Sequence, residues 1–181
     1  MRLKVAIAAL GVLLLLALVT ARSVAWVPDD DMQPSLYAGD LVVLWPGDAA
    51  PGDVVAVADP IAPGRWTLRR VLAVEGFVRY EDGFYHTDTE EPVVLDMGTL
   101  GSDRVLQEGD YLTQRETRGV RWEMAPVAVP KGRVWLAADN RDGAVDSRWW
   151  GPAPVATVQG TVVLRVGDPR HAWRGWISTQ P

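Results

Sequence analysis

Short apolar runs separated by turn residues fill the chain after Trp26, and this pattern restricts the possible fold more than any other feature. None of the runs has the length or the three-to-four-residue period of an amphipathic helix. Thirteen prolines and seventeen glycines punctuate them, and both residue types end or turn β-strands. The pattern predicts an all-β domain with strands near 41–44, 54–57, 67–74, 78–80, 84–86, 111–115, 120–124, 133–137 and 161–166.

Two turn signals join neighbouring runs. Glu81-Asp82-Gly83 lies between two β-rich runs, and an Asp-Gly pair tolerates the positive φ that a tight hairpin requires. Thr117-Arg118-Gly119 predicts a second hairpin in the same way. Residues 87–110 are acidic and without clear periodicity, so we expect an irregular, exposed insertion there.

The N-terminus carries an apolar segment, Val5 to Ala21, of 17 residues without a charge. At 1.5 Å per residue a helix of this length measures about 25 Å, the short end of a membrane span. Arg2 and Lys4 precede it, which predicts that the chain starts in the cytoplasm. A cleavable signal peptide has the same charged start and apolar stretch, so the residues alone leave both interpretations open.

Composition excludes several kinds of site and partner. Lys and Arg total 18 against 23 for Asp and Glu, and this acidic balance argues against nucleic acid as a partner, because phosphate binding needs a basic surface. The chain has no cysteine, which excludes disulfides and thiolate sites. Nine tryptophans fit core packing or a membrane interface, where an indole is favoured. The interface candidates are Trp26, Trp173 and Trp176.

Three short motifs occur in a fixed order along the chain. The first is Asp31-Met32-Gln33-Pro34-Ser35-Leu36, and the second is Arg69-Arg70-Val71. The third, residues 139–151, reads Asp-Asn-Arg-Asp-Gly-Ala-Val-Asp-Ser-Arg-Trp-Trp-Gly. They resemble the nucleophile box, the base box and the signature box of the type I signal peptidases, membrane-anchored serine proteases with a Ser–Lys dyad.

The resemblance assigns structural positions to residues shared with the family. They are Met32, Pro34, Arg70, Asp139, Asn140, Arg141, Asp142, Asp146, Ser147 and Arg148. It also implies a coiled, mostly antiparallel β domain with one N-terminal transmembrane helix, and it favours an anchor over a cleaved signal peptide. The implied organisation is an anchor at 1–25, a β domain at 26–168 containing the acidic insertion 87–110, and a Trp-containing tail at 169–181.

The departures from the family pattern fall where its chemistry occurs. Asp31 stands at the nucleophile position and Arg69 at the base position. Asp31 has no hydroxyl, and a guanidinium is not deprotonated in proteins, so it cannot act as a general base. The resemblance also places Asp29 at the oxyanion position, where its charge would repel an oxyanion, and Ala144 at the serine that orients the lysine. No catalytic position is intact.

These replacements suit one another chemically. A carboxylate and a guanidinium form charge-assisted hydrogen bonds, so we predict that an Asp31–Arg69 ion pair fills the former catalytic centre. The other possibility is that Asp31 points to solvent beside Asp29 and Asp30.

The sequence therefore predicts a protein of the inner (cytoplasmic) membrane, single-pass, with its domain on the extracytoplasmic side. We expect it to lack proteolytic activity and to bind an extended peptide, a preprotein or a secretion-machinery protein. The alternative is an active signal peptidase that cleaves exported preproteins with a non-standard residue set. We expect no cofactor and no metal site, because three consecutive acids at 29–31 do not form a ligand loop by themselves.

Overall fold

The computed structural model describes Gly11 and residues 24–88, 93–117 and 123–167. The predicted anchor at 1–25 lies outside these residues apart from Gly11, Val24 and Ala25, and the predicted tail at 169–181 lies wholly outside them. No helix within the described ranges has the length and hydropathy needed to cross a membrane.

Antiparallel strands make up nearly all of the regular secondary structure in the described residues, so the prediction of an all-β domain is confirmed. The strands are β1 (Val24–Trp26), β2 (Leu41–Trp45), β3 (Val54–Ala58), β4 (Trp66–Ala73), β5 (Gly76–Glu81), β6 (Phe84–Thr87), β7 (Val94–Leu100), β8 (Asp103–Glu108), β9 (Tyr111–Glu116), β10 (Met124–Val129), β11 (Arg133–Ala137), β12 (Ala153–Pro154) and β13 (Val158–Gly167). A one-turn helix, α1 (Ser147–Trp150), and a 3₁₀ turn (Val155–Thr157) lie between β11 and β13.

Three sheets form from these strands. The largest has seven strands in the order β1-β2-β13-β3-β4-β11-β12, and two three-stranded sheets have the orders β10-β5-β6 and β7-β8-β9. The last strand, β13, therefore lies between β2 and β3, which brings both ends of the described chain to one side of the large sheet.

Apolar clusters cover both faces of the large sheet near its centre. On one face, Val42, Val54 and Leu68 pack with Met32 and other residues from the segment between β1 and β2. On the other, strands β3, β4 and β11 contribute Val55, Val71 and Leu136. A third cluster around Tyr80, Tyr85 and Trp135 joins the large sheet to β5 and β6. Burial on both faces explains the continuous apolar run of β3.

The Asp-Gly hairpin is confirmed. Asp82 and Gly83 have φ of 52° and 88° and connect β5 to β6, as a two-residue turn with both central residues left-handed requires. The second predicted turn extends into residues 118–122, outside the described structure. In the described residues β9 pairs with β8, and β10 pairs with β5.

The expectation of irregular structure across residues 87–110 is wrong for its larger part. Strands β7 and β8 occupy Val94–Leu100 and Asp103–Glu108 and form a meander with β9. The sequence of β7 shows no clear alternation of apolar and polar residues. The strand is exposed along most of its length, and its register with β8 shifts between Asp96 and Gly98. An exposed edge strand needs no apolar alternation to pair with its neighbour.

Candidate functional site

The segment between β1 and β2 positions Asp31. Its neighbours Met32, Pro34 and Leu36 are buried, and Met32 is fully enclosed in the core cluster on that face of the large sheet. The Leu36 amide donates to the Met32 carbonyl at 2.8 Å, which closes a turn around the buried residues. With its neighbour anchored in this way, Asp31 is directed toward β4.

Asp31 forms an ion pair with Arg69, as the sequence predicts. Nη2 of Arg69 donates to Oδ2 of Asp31 at 2.6 Å. The arginine side chain is 4% exposed and the aspartate side chain 24% exposed. The pair therefore closes the base position to solvent and leaves one edge of the carboxylate open.

Arg69 has further acceptors besides the carboxylate. Its Nε and Nη2 donate to the Val145 carbonyl at 3.2 and 2.8 Å. Its Nη1 donates to Oγ1 of Thr67 at 2.7 Å and to the Leu68 carbonyl at 2.5 Å. The ring of Trp150 lies 5.9 Å from the guanidinium carbon. These groups hold the guanidinium in place, and because a guanidinium is not deprotonated in proteins it cannot act as a base there.

The electrostatics of Asp31 are dominated by its burial. Burial raises the pKa of Asp31 above its usual value because a charged carboxylate is poorly solvated there. Arg69 opposes this shift by attraction, whereas Asp29 adds repulsion that raises the pKa further. The Asp31 amide also donates to Oδ1 of Asp29 at 3.2 Å, so the residue at the predicted oxyanion position lies beside the ion pair.

Arg70 points to the opposite face of β4, because neighbouring strand residues alternate. It makes two hydrogen bonds to Asp139, from Nε at 2.7 Å and from Nη2 at 2.5 Å. It also donates to the Gly52 carbonyl at 2.6 Å and to Oγ of Ser35 at 3.2 Å. The shared arginine of the second motif thus ties the first motif to the third.

The end of the third motif folds around the buried carboxylate of Asp146. Its Oδ1 caps α1 by accepting from the Arg148 amide at 3.0 Å and from Arg148 Nε at 2.8 Å. Its Oδ2 accepts from the Ala138 amide at 3.1 Å. Oγ of Ser147 accepts from the Leu136 amide at 2.9 Å. These contacts hold residues 145–148 against β11, which presents the Val145 carbonyl to Arg69.

The beginning of the third motif joins the other sheets. The amide of Asn140 donates to the Asp31 carbonyl at 2.9 Å, and Oδ2 of Asp142 accepts from the Glu116 amide at 2.8 Å. Arg141 is buried and donates to Oε2 of Glu108 at 2.7 Å.

Ala144, at the predicted lysine-orienting position, is buried directly before Val145. It brings no polar atom to Arg69.

Two buried partners were missed by the sequence reasoning. Glu108 ends β8 within the supposed insertion, and its Oε1 accepts from Thr113 at 2.9 Å while Oε2 accepts from Arg141. Tyr85 donates to Asp146 from β6 at 3.2 Å. Nothing local distinguishes Glu108 from the surrounding acidic residues, so only the fold identifies it. Across the described ranges, no three His, Cys, Asp or Glu side chains cluster in a way that could hold a metal ion.

Comparison with known proteins agrees with the motif order. The family model described as signal peptidase, peptidase S26, matches residues 1–167. Signal peptidase I of Pseudomonas aeruginosa is 29% identical over 181 residues, covering 83% of this chain and 64% of the relative. The mitochondrial ATP-independent inner membrane protease subunit 1a of Arabidopsis thaliana is 29% identical over 120 residues, covering 66% of this chain and 52% of the relative.

The chain spans less than two thirds of the length of each of these relatives. The family match nevertheless includes the three motifs and every strand described above. From this match, the chain belongs to the type I signal peptidase family, peptidase S26.

Proposed function

We propose that this protein is a non-catalytic member of its family that binds an extended peptide of exported preproteins. The observation that carries the proposal is the ion pair between Asp31 and Arg69, 2.6 Å apart, at the nucleophile and base positions of the family. Serine proteolysis needs a hydroxyl beside a group that accepts its proton. Asp31 has no hydroxyl to act as the nucleophile, and the Arg69 guanidinium stays protonated and cannot accept a proton at the base position.

Ser35 does not offer a substitute nucleophile. Its hydroxyl donates to the Leu112 carbonyl at 3.3 Å and accepts from Arg70 at 3.2 Å. The groups bonded to this hydroxyl are a guanidinium and a backbone carbonyl, and neither is a base that could remove its proton, as activation requires. Asp29 supports the same conclusion, since a carboxylate beside the reacting centre would oppose a developing oxyanion.

The surroundings of the ion pair suit binding. Val145, whose carbonyl accepts from Arg69, is exposed, and Trp150 lies half-buried on the other side of the guanidinium. Signal peptidases act on small residues in an extended segment, and extended segments can bind by adding a strand to a protein edge. We propose that the peptide binds beside the ion pair, with small apolar side chains toward the exposed Val145.

The proposed location follows from the N-terminus. Residues 5–21 serve as a membrane anchor with Arg2 and Lys4 on the cytoplasmic side. The β domain at 26–168 then lies on the extracytoplasmic side, where exported chains emerge. The Arabidopsis relative is named an inner membrane protease subunit, which supports a membrane location.

The test compares the wild-type chain, purified in detergent, with the triple variant Asp31→Ser, Arg69→Lys, Ala144→Ser. Both are assayed for cleavage of an exported preprotein and for binding of a peptide spanning its cleavage site. We expect the wild type to bind without turnover. Activity gained by the triple variant would show that the peptide-binding cleft is intact.

Two controls make the comparison specific. A second triple variant, Asp31→Ala, Arg69→Lys, Ala144→Ser, should show none of the activity gained by the first, because it lacks the hydroxyl that acts as the nucleophile. A non-cleavable peptide with bulky residues at the cleavage site should bind the wild type weakly. Turnover by the wild type that disappears on the single change Asp31→Ala would contradict the proposal and favour an active peptidase with a non-standard residue set.

A further inference from the structure

The ion pair at the family's catalytic positions uses only one oxygen of the Asp31 carboxylate. Oδ2 accepts from Arg69 at 2.6 Å, and no hydrogen bond from the described residues reaches Oδ1. The aspartate side chain is 24% exposed, whereas the arginine side chain is 4% exposed. A ligand that arrives from solvent therefore meets the anion of the pair, because the cation is enclosed behind it.

The charges around Asp31 leave an excess of negative charge at this point. Arg69 attracts the carboxylate, whereas Asp29 and Asp146 repel it. Asp146 has its own counter-charge in Arg148, 2.8 Å away, but the half-buried Asp29 forms no ion pair within the described ranges. One cation thus balances two carboxylates, so a positively charged group is attracted here and a negatively charged group is repelled.

The position of Asp31 relates this charge to a particular peptide bond. Residue 31 stands at the nucleophile position of the family whose model matches the chain, and a nucleophile lies about 3–3.5 Å from the carbonyl carbon that it attacks. A peptide held in the same way would place its cleavage point against the carboxylate. In an uncut peptide that point carries a neutral bond with a carbonyl oxygen. Hydrolysis of the bond leaves a carboxylate on the leader and an ammonium group on the mature chain.

We propose that the Asp31 carboxylate binds the α-ammonium group of a mature exported chain, so that the protein recognises the product of peptide-bond hydrolysis in preference to the uncut precursor. The inference rests on the proposed function and names the ligand of the same site. An α-amino group, with a pKa of about 7.7–8.0, is largely protonated at neutral pH. It donates to Oδ1 while Oδ2 stays bound to Arg69. Hydrolysis by a separate, active peptidase must supply this ligand.

The ion pair prepares the carboxylate for such a ligand. Arg69 is itself held by Thr67 and by the carbonyls of Leu68 and Val145, so it fixes the orientation of Asp31 before a ligand arrives. A group that is already ordered loses less conformational freedom on binding. A hydrogen bond between two charged groups is also stronger than one between neutral groups, which favours an ammonium group over a peptide N–H.

The test measures dissociation constants of synthetic peptides for the wild-type full chain in detergent, by titration calorimetry. Four peptides come from one exported preprotein. They are a peptide that spans the cleavage site, the mature segment with a free α-amino group, the same mature segment N-acetylated, and the leader segment with a free carboxylate. A fifth peptide is the N-acetylated mature segment with lysine as its first residue.

We expect the free-amine mature peptide to bind about tenfold more tightly than its acetylated form, which corresponds to one charge-assisted hydrogen bond. The leader segment should bind most weakly. Equal binding of the free and acetylated mature peptides would overturn this inference and leave the proposed peptide function standing. If none of the peptides binds, the proposed function itself fails, and this inference fails with it. If the acetylated lysine peptide binds as tightly as the free-amine peptide, the assignment to the N-terminus is wrong and the site takes lysine side chains.

Two variants locate the effect on the chain. Asp31→Asn keeps the shape of the side chain and removes its charge, so it should abolish the difference between the free and acetylated mature peptides. Asp30→Asn removes the same charge from an exposed neighbour and should preserve the difference. The opposite pattern would overturn the assignment to Asp31. The comparison of free and acetylated peptides on the wild type decides the proposal even if Asp31→Asn does not fold.

Discussion

At the scale of single residues, Arg69 and Arg70 show how adjacent cations can occupy different environments. Arg70 binds Asp139 through two hydrogen bonds where the carboxylate is fully buried. Arg69 binds Asp31 through one, and that carboxylate keeps an open edge. The Arg69–Asp31 pair lies at the predicted base and nucleophile positions. The Arg69 guanidinium donates to the carbonyls of Val145 and Leu68 as well as to the carboxylate.

The titration of Asp31 provides a test at this scale. Its pKa is raised from 3.8, chiefly by burial, so the folded state holds the proton more tightly than the unfolded state. This contribution to stability is complete below pH 3.8 and is lost as the pH rises through the folded pKa. The free energy of unfolding of the wild type, minus that of Asp31→Asn, should therefore fall between acidic and neutral pH.

Urea unfolding in detergent across this pH range measures the difference. Asp30→Asn serves as the control, since Asp30 is exposed. If the free energy of unfolding of the wild type, minus that of Asp31→Asn, instead grows with pH, attraction by Arg69 outweighs burial. Asp31 would then be ionised more readily in the folded state than in the unfolded state.

At the scale of elements, a hairpin turn and a helix N-cap hold in place the residues that pack around the site. The β5–β6 hairpin places Tyr85 beneath Asp146, and its turn depends on Gly83 at a φ of 88°. A Cβ at this position would lie 1.7 Å from Nη2 of Arg115, which stacks on Phe84. The one-turn helix α1 depends on Asp146 as its N-cap. The hairpin turn and the N-cap are each determined by two or three adjacent residues.

Gly83→Ala should therefore destabilise the protein by about 1–2 kcal/mol, the cost of a left-handed conformation for a residue with a Cβ, in addition to the displacement of Arg115. Gly47→Ala is the matched control, because a Cβ there has open space and no positive φ. Denaturant midpoints of the two variants give the comparison. Equal stability would show that the turn relaxes to another type without cost.

At the scale of the whole molecule, residues 139–148 connect the three sheets. Asp139 binds Arg70 of the large sheet, Arg141 binds Glu108 of the β7-β8-β9 sheet, and Asp146 accepts from Tyr85 of the β10-β5-β6 sheet. The same segment holds the Asp31 backbone through Asn140. These contacts give the shared residues of the third motif a structural role.

Glu108→Gln tests this connection. It leaves the buried Arg141 without its counter-charge, and breaking a buried pair costs about 3–5 kcal/mol. The matched control is Asp96→Asn, which breaks the exposed pair with Arg104 in the same sheet and should change stability little. If both variants lose the same free energy of unfolding, the buried Arg141–Glu108 pair contributes no more to stability than the exposed Asp96–Arg104 pair.

The sequence by itself predicted most of the described strands, the Asp82-Gly83 turn and the ion pair of Asp31 with Arg69, because alternation, turn chemistry and motif order are each read from neighbouring or aligned residues. It failed for β7, which is exposed along most of its length, and for β8, whose side chains are mostly polar although none is exposed. Only the tertiary structure decided that β13 inserts between β2 and β3, that Glu108 meets Arg141, and that Trp26 and Trp45 lie on one face that is exposed within the described residues. Those features depend on which distant strands pair and in which register. Hydrophobic burial stabilises many such pairings, and the local sequence does not specify the partner strand.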